Sequence, residues 1–324
     1  MPGGQERALR RRIKSVQSTK KITRAMELIS ASRIAKAQQR VAAARPYADQ
    51  ITAVIRNLSA AGAGAGQPLL TSRETVANVG VVVLTADRGL AGGYNSSVLK
   101  LADQSIREAE AAGQGARLYV GGRKGVSYYR YRDRPMASTY IGFSDAPTYE
   151  DAKAIAADVV AAYEAGEVDR VELVYTEFIS AGVQVPVTKR FVPLEAEGLT
   201  DEPAATGPTA DYEFEPSPNA ILERLLPRYV ESRLFAALLD AAASEHAARQ
   251  RAMKSATDNA GELIKRLDRE MNRARQDAIT TEIIEIASGA EALNQTAEGA
   301  SANSSRDLFP THDPDPFDQH RHHH

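Results

Sequence analysis

The feature that most limits how this chain can fold is a helical pattern of about 60 residues near its C-terminus, uninterrupted by proline after Pro227. Apolar and small residues recur there at alternating intervals of three and four, the spacing of a heptad seam. At 1.5 Å per residue, such a helix would be roughly 90 Å long and needs a second helix to cover its seam. The seam positions are Leu239, Ala242, His246, Arg249, Met253, Ala256, Ala260, Leu263 and Leu267.

A partner helix is available at the other end of the same chain. Between Ala8 and Leu58 a single proline interrupts an alanine-rich pattern with apolar positions three or four residues apart. The two patterns predict an intramolecular antiparallel coiled coil. Pro227 is expected to kink or restart the second helix, because proline lacks the N–H group. The expected apolar stripe of the first helix is Ile22, Met26, Ile29, Val41, Ala44, Ala48, Ile51, Ile55 and Leu58.

Between Val76 and Pro193 the pattern changes to strands that alternate with helices, which predicts an open, mostly parallel sheet. The segment VQVPVTKRFVP is expected to pair antiparallel at an edge, because Pro186 cannot donate to a ladder. The fold class is therefore α/β with long helices: an antiparallel coiled coil of the N- and C-terminal helices plus a central Rossmann-like open α/β domain. Predicted strands are 79–85, 116–120 and 169–178, and predicted helices are 94–112 and 149–165.

Changes in composition place the segment boundaries. A Gly-Ala run and the proline- and acid-rich stretch before Asn219 favour connections. The last residues contain three prolines and few apolar side chains, too few to offset the entropy of ordering. The predicted segments are 1–60 N-terminal coiled-coil helix, 61–75 linker, 76–195 α/β domain, 196–218 connection, 219–293 C-terminal coiled-coil helix and 294–324 disordered tail.

Charge and composition narrow the classes of function. The 40 basic and 42 acidic residues nearly cancel, but residues 1–45 contain twelve Lys or Arg and only two acids. This local charge favours an acidic protein partner; nucleic acid is disfavoured because no aromatic residue lies in the first 46 positions to stack on bases. The chain has no cysteine, which excludes disulfides and thiol catalysis. No apolar run reaches the roughly 18 residues that span a bilayer, and no signal peptide is recognised.

Three internal features suggest an enzyme but are better explained as structure. The loop TADRGLAGGYN lacks both G-x-G-x-x-G and the P-loop lysine, so a tight strand-to-helix turn is expected, with Asp87 and Arg88 paired across it. The segment VGGRKG is interpreted in the same way. His246 has neither an acid nor a second histidine at ligand spacing, and it is expected to be a packed seam residue. No catalytic, cofactor or metal site is predicted.

Two segments near the ends of the chain are the most informative: RIKSVQSTKKITRAMELISASRIAKAQ at the N-terminal end, and a C-terminal segment that ends in ITTEIIEIASGAEAL. In these segments the chain resembles the gamma subunits of bacterial F-type ATP synthases, and the resemblance extends from about Arg7 to Leu293. On period alone the second segment ends an amphipathic helix, with Gly289 at the C-cap. The positions that match the family signature are Ile279, Thr280, Glu282, Glu285, Gly289 and Ala290.

The resemblance implies a non-catalytic, cofactor-free rotor subunit that transmits torque and regulates ATPase activity. Its partners would be the alpha and beta subunits around the coiled coil, the epsilon subunit and the c-ring. It would lie at the cytoplasmic face of the cell membrane, touching the membrane only through the complex. The weaker alternative, apart from the resemblance, is a freestanding α/β nucleotide-binding module or enzyme with helical arms. The implied beta-contact or torque residues are Met26, Arg249, Arg275, Gln276 and Thr280.

Overall fold

The structure is a computed structural model that describes residues 2–60, 62–64, 66–194 and 217–304. The chain forms two compact units, one of Thr19–Asn259 and one of Met1–Ser18 with Ala260–His324. The two long helices, α1 (Pro2–Ala60) and α5 (Pro218–Ser304), contribute residues to both units.

The larger unit contains a five-stranded sheet with the order β3-β2-β1-β4-β5. The first four strands in this order are parallel, and β5 pairs antiparallel with β4 at the edge, with Pro186 opposite Thr176. The predicted α/β class and the antiparallel edge strand are confirmed. The elements are β1 (Asn78–Leu84), α2 (Tyr94–Ala111), β2 (Gly115–Gly121), α3 (Arg123–Tyr131), β3 (Ser138–Tyr140), α4 (Tyr149–Glu164), β4 (Arg170–Phe178) and β5 (Gln184–Val192), with a 3-10 turn at Pro68–Leu70 before them.

Both faces of this sheet are buried, because successive side chains of a strand point to opposite sides. Val81 and Val83 of β1 pack in a core with residues of α2 and α3. Val82 and Leu84 belong to a second core that includes residues of α1, α4 and α5. The sheet is therefore covered by short helices on one face and carries the long helices on the other.

Within this larger unit α1 and α5 run antiparallel. Thr23 bonds to Thr257, whereas Ile55 near the end of α1 shares a core with Leu222 near the start of α5. Pro227 lies inside the uninterrupted α5, so the predicted alternative of a restart is wrong. Proline removes one backbone donor there, but the helix is held by its buried neighbours in the core.

In the smaller unit, α5 continues to Ser304. The predicted C-cap at Gly289 is wrong, since this glycine lies inside the helix, and the helix also includes the first residues of the predicted tail. Nothing follows Gly289 that forces a left-handed turn, and glycine alone costs a helix only about 1 kcal/mol. Residues 305–324 of the predicted tail and residues 196–216 of the predicted connection lie outside the described residues.

Asp240 on α5 provides a test of how the long helix sits on the sheet. Burial, together with repulsion from Glu177, raises the pKa of Asp240 to about 6, and Lys189 opposes the shift. The folded protein therefore favours the protonated carboxyl, and ionisation above pH 6 costs stability. We expect Asp240→Asn to increase the free energy of unfolding at pH 7.5 by about 1 to 2 kcal/mol. Urea denaturation followed by circular dichroism measures this.

The gain from Asp240→Asn should shrink as pH falls from 6 towards 4, because the native carboxyl is then already neutral. Asp258→Asn is the matched control, since Asp258 is an exposed aspartate of the same helix. A gain that did not depend on pH, or an equal gain from the control, would contradict the burial of this carboxyl.

Candidate functional site

The α1–α5 seam in the larger unit is polar where it was expected to be apolar. Thr23, Glu27 and Ser30 are buried, and the hydroxyl groups of Thr23 and Thr257 lie 2.7 Å apart. Glu27 is held by Arg24 Nη1 at 2.8 Å. Polar groups in a helix seam are tolerated when they are hydrogen-bonded, and they fix the register of the two helices.

The expected apolar stripe of α1 is therefore partly wrong. Ile22 and Ile29 are 61 and 53% exposed, and Leu28 beside them is also exposed. The buried stripe is Thr23, Glu27 and Ser30. The stripe of Ile22, Met26 and Ile29 has the same period but is displaced by one residue, or about 100° around the helix. Periodicity cannot choose between two such stripes when the partner helix is rich in polar seam residues.

Met26 lies at the border between these two faces and is partly exposed. Its backbone oxygen accepts a 2.8 Å hydrogen bond from Ser30 Oγ, a residue of the seam. The Met26 side chain is thus next to the exposed apolar face of Ile22 and Ile29. A flexible, polarizable thioether is suited to a surface whose contacts change.

Arg249 has a different environment, since only 6% of it is exposed. Its Nη2 bonds to Glu245 Oε1 at 2.7 Å, and the same guanidinium donates to the backbone oxygen of Gly89 at 3.2 Å. Glu245 is also buried; burial raises the pKa of Glu245, while Arg249 lowers it. Arg249 therefore acts inside this chain, between α5 and the β1–α2 turn.

His246 is a buried seam residue, as predicted, but acids do surround it. Its Nε2 lies 3.0 Å from the backbone oxygen of Asp145, and burial lowers the pKa of His246, which favours the neutral ring. Ligand atoms of Asp145, Glu245 and His246 all lie within 4.8 Å of one another. Sequence spacing misses this cluster because Asp145 comes from the distant β3–α4 loop.

The glycine-rich turn after β1 is a structural turn. Asp87 does not pair with Arg88, contrary to expectation. Burial alone would raise the pKa of Asp87, but hydrogen bonds from backbone N–H groups lower it below its usual range. The Asp87 carboxylate therefore has the role in this turn that a bound anion would have in a phosphate loop. Its N–H donors are Gly142 at 2.9 Å, Arg123 at 3.0 Å and Ser144 at 3.1 Å.

In the smaller unit, the other predicted contact residues lie on α5. Arg275, Gln276 and Thr280 are exposed, and Thr280 Oγ1 donates to the backbone oxygen of Gln276 at 2.9 Å. They lie beside large apolar side chains that are also exposed. The other signature residues, Glu282, Glu285, Gly289 and Ala290, are exposed as well. The exposed apolar residues are Ile279, Ile283, Ile284, Ile286 and Leu293.

Exposure of this kind defines a class of protein. A helix with contiguous exposed apolar residues has a surface that another chain is needed to cover. A chain whose long helices present such surfaces belongs to the class of subunits that assemble with other chains. Among the residues that the structure describes, no helix combines the length and apolarity required to cross a bilayer.

The comparisons with known proteins identify the family. The family model described as ATP synthase matches residues 5–293. The chain is 58% identical over 294 residues to the ATP synthase gamma chain of Frankia casuarinae, covering 90% of this chain and 98% of the relative. The chain therefore belongs to the ATP synthase gamma chain family.

Solved structures of ATP synthases are also similar to this chain. One is the central stalk and c-ring of the Tetrahymena thermophila mitochondrial ATP synthase, with a TM-score of 0.55 and 25% identity over 72% of this chain and 99% of that chain. Another is the Euglena gracilis mitochondrial ATP synthase in a rotational state, with a TM-score of 0.62 at 16% identity over 91% and 96% of the two chains. The second likeness bears on the fold alone.

Proposed function

We propose that this chain is the central-stalk rotor subunit of an F-type ATP synthase, and that it transmits torque between a proton-driven c-ring and an alpha–beta hexamer. The observation that carries the proposal is the exposed apolar face of α5 from Ile279 to Leu293. Such a face requires a surrounding partner, and an asymmetric helix pair presents a different face to each of several identical neighbours. A rod that bound every conformation equally could not shift any of them.

The subunit itself is proposed to be non-catalytic, with ATP chemistry in the beta subunits and the ATPase activity regulated by the rotor. Its proposed partners are the alpha and beta subunits, the epsilon subunit and the c-ring, and its place is the cytoplasmic face of the cell membrane. The segment boundaries proposed from composition, with a coiled coil at residues 1–60 and 219–293, fit this arrangement.

The weaker alternative is a freestanding nucleotide-binding module. It would need a phosphate site, but the turn after β1 carries the Asp87 carboxylate, which already accepts the backbone N–H groups of Arg123, Gly142 and Ser144 from other segments. A second negative charge, such as a phosphate, would be repelled there.

Reconstitution tests the two functions against each other. The purified chain alone should hydrolyse no ATP and bind none tightly, and it should assemble with alpha and beta subunits into a complex that hydrolyses ATP in a rotor-dependent way. Turnover by the isolated chain, measured by phosphate release, would reject the rotor and support the module.

We propose that Arg275, Gln276 and Thr280 contact a beta subunit, and that Met26 lies at a second contact. Arg249 is proposed to act on torque from within the chain, because it is buried. Replacing Gln276 and Thr280 together by alanine removes two exposed polar groups of one helix turn. We expect coupled ATP synthesis in membrane vesicles to fall by about 5- to 20-fold, the loss that two hydrogen bonds of ordinary strength would give.

The matched control replaces Glu262 and Lys265 by alanine, since both are exposed residues of α5 outside the signature. The control should retain synthesis and assembly. Synthesis by the Gln276 and Thr280 double variant equal to that of the control would remove these residues from the contact.

A further inference from the structure

Asp145 lies in the β3–α4 loop, and its carboxylate faces cations from three other segments. Oδ2 bonds to Arg33 Nη1 at 2.7 Å and lies 3.4 Å from Arg88 Nη1. Oδ1 lies 4.0 Å from Arg249 Nη1 and accepts no hydrogen bond from the described residues. One side chain thus joins α1, the β1–α2 turn and α5, all within the larger unit.

Additional bonds tie the same segments together at this point. The Asp145 backbone oxygen lies 3.0 Å from His246 Nε2 of α5, and Arg249 donates to the backbone oxygen of Gly89 in the turn. Arg40 of α1 donates to the backbone oxygen of Pro147, two residues further along the loop, at 3.4 Å. The loop is therefore a junction at which the α/β domain contacts both long helices.

The charges at this junction favour an ion-pair network over a metal site. Three guanidinium groups, from Arg33, Arg88 and Arg249, surround the carboxylates of Asp145 and Glu245. Arg249 Nη2 already bonds to Glu245 at 2.7 Å. A divalent cation would have to displace these cations, and neighbouring guanidinium charges would oppose its entry.

The protonation state of Asp145 also supports an ion-pair network. Burial opposes ionisation, but the hydrogen bond and charge of Arg33, with the charge of Arg88, hold the pKa of Asp145 below its usual range. The carboxylate is therefore ionised at neutral pH. Charge-assisted hydrogen bonds are shorter and about twice as strong as neutral ones, and several on one carboxylate restrict its position.

We propose that Asp145 is a positioning residue for torque transmission: its carboxylate fixes the angle between the α/β domain and the pair of long helices. Rotation of the domain about the helices would have to stretch the 2.7 Å bond to Arg33 of α1 and the contact with Arg249 of α5, whereas Arg88 lies in the domain and moves with Asp145. This inference rests on the proposed rotor function and assigns to one residue the stiffness that such a rotor needs.

Single-molecule measurement of the assembled alpha–beta–gamma complex tests this proposal. The chain has no cysteine, so Ser127→Cys, at an exposed position of α3, gives a single attachment point for a bead on the α/β domain. With rotation stalled, the angular variance of the bead reports torsional stiffness. We expect Asp145→Asn to increase this variance at least about twofold, because the neutral amide keeps the shape but loses the charge-assisted bonds.

Asp103→Asn is the matched control. Asp103 bonds to Tyr128 and Arg132 on the α2–α3 face of the domain. The Asp103→Asn variant therefore loses a comparable ion pair at a site away from the long helices. Its variance should equal that of the wild type. Arg33→Gln removes the same 2.7 Å bond from the side of α1 and should also increase the variance, which keeps the test decisive if Asp145→Asn fails to assemble.

Wild-type variance in Asp145→Asn, or in Arg33→Gln where Asp145→Asn does not assemble, would overturn the proposal. An equal increase in angular variance in Asp103→Asn would also overturn the proposal, because it would show that any lost ion pair lowers the stiffness of the domain. Failure of the rotor function itself would be distinct, since the wild-type bead would not turn when ATP is supplied.

Discussion

Replacing Arg249 by methionine is expected to lower the free energy of unfolding by about 3 to 5 kcal/mol, because it leaves a buried carboxylate without its partner. Glu245 is only 1% exposed, and its bond to Arg249 Nη2 is 2.7 Å long. The substitution also removes donors to the backbone oxygens of Arg88 and Gly89. Urea denaturation of the full chain, followed by circular dichroism, measures the loss.

Two further measurements tie this loss to the ion pair. The double variant Glu245→Met with Arg249→Met should recover most of the stability, since replacing a whole buried pair by apolar groups is often close to neutral. In the single variant the loss should shrink as pH falls, because burial raises the pKa of Glu245 and protonation removes the unpaired charge. A double variant no more stable than the single one would show that the pair is not the cause.

Gly122→Ala is expected to lower the free energy of unfolding by at least about 4 kcal/mol, as much as Arg249→Met, and to prevent folded chain from accumulating. Gly122 joins β2 to α3 with φ at +91°, a conformation that residues with a Cβ rarely adopt. A Cβ there would lie 2.0 Å from the backbone oxygen of Thr85. Strand β1 cannot move away, because it is paired on both sides within the sheet. Soluble yield and the thermal unfolding midpoint measure the effect.

Gly113→Ala separates the two causes. Gly113 also has a positive φ, +75°, but a Cβ there meets nothing within 4 Å. Gly113→Ala should lower the free energy of unfolding by only about 1 to 2 kcal/mol, which is the penalty of the backbone conformation itself. Similar losses from both substitutions would show that the close approach to Thr85 contributes little.

The parts of the fold that follow from local pattern were predictable from the sequence. Strand β1 was expected at 79–85 and is found at Asn78–Leu84, and α2 begins at Tyr94 as predicted. Helix α3 and strand β3 were missed. Nine and three residues are too few to establish a period, and Gly125 within α3 is explained only by its close packing on Thr85.

The candidate site was predictable on α5 and much less so elsewhere. The α5 seam is buried at His246, Arg249 and Met253 as expected, and the Glu245–Arg249 pair is visible as an i, i+4 spacing. Asp145 has no local signature, because its partner Arg33 is more than a hundred residues away. The roles of Met26, Arg275, Gln276 and Thr280 remain predictions, since they concern contacts with other chains.

The exposed isoleucines of α5 also affect the life of the chain before assembly. A newly synthesised copy presents Ile283, Ile284 and Ile286 to solvent, each more than half exposed. Such a surface associates with chaperones, with proteases or with other copies until a partner covers it. Quality control would thus remove copies made in excess of the hexamer, so the same side chains that require a partner would also limit how much of the subunit accumulates without one.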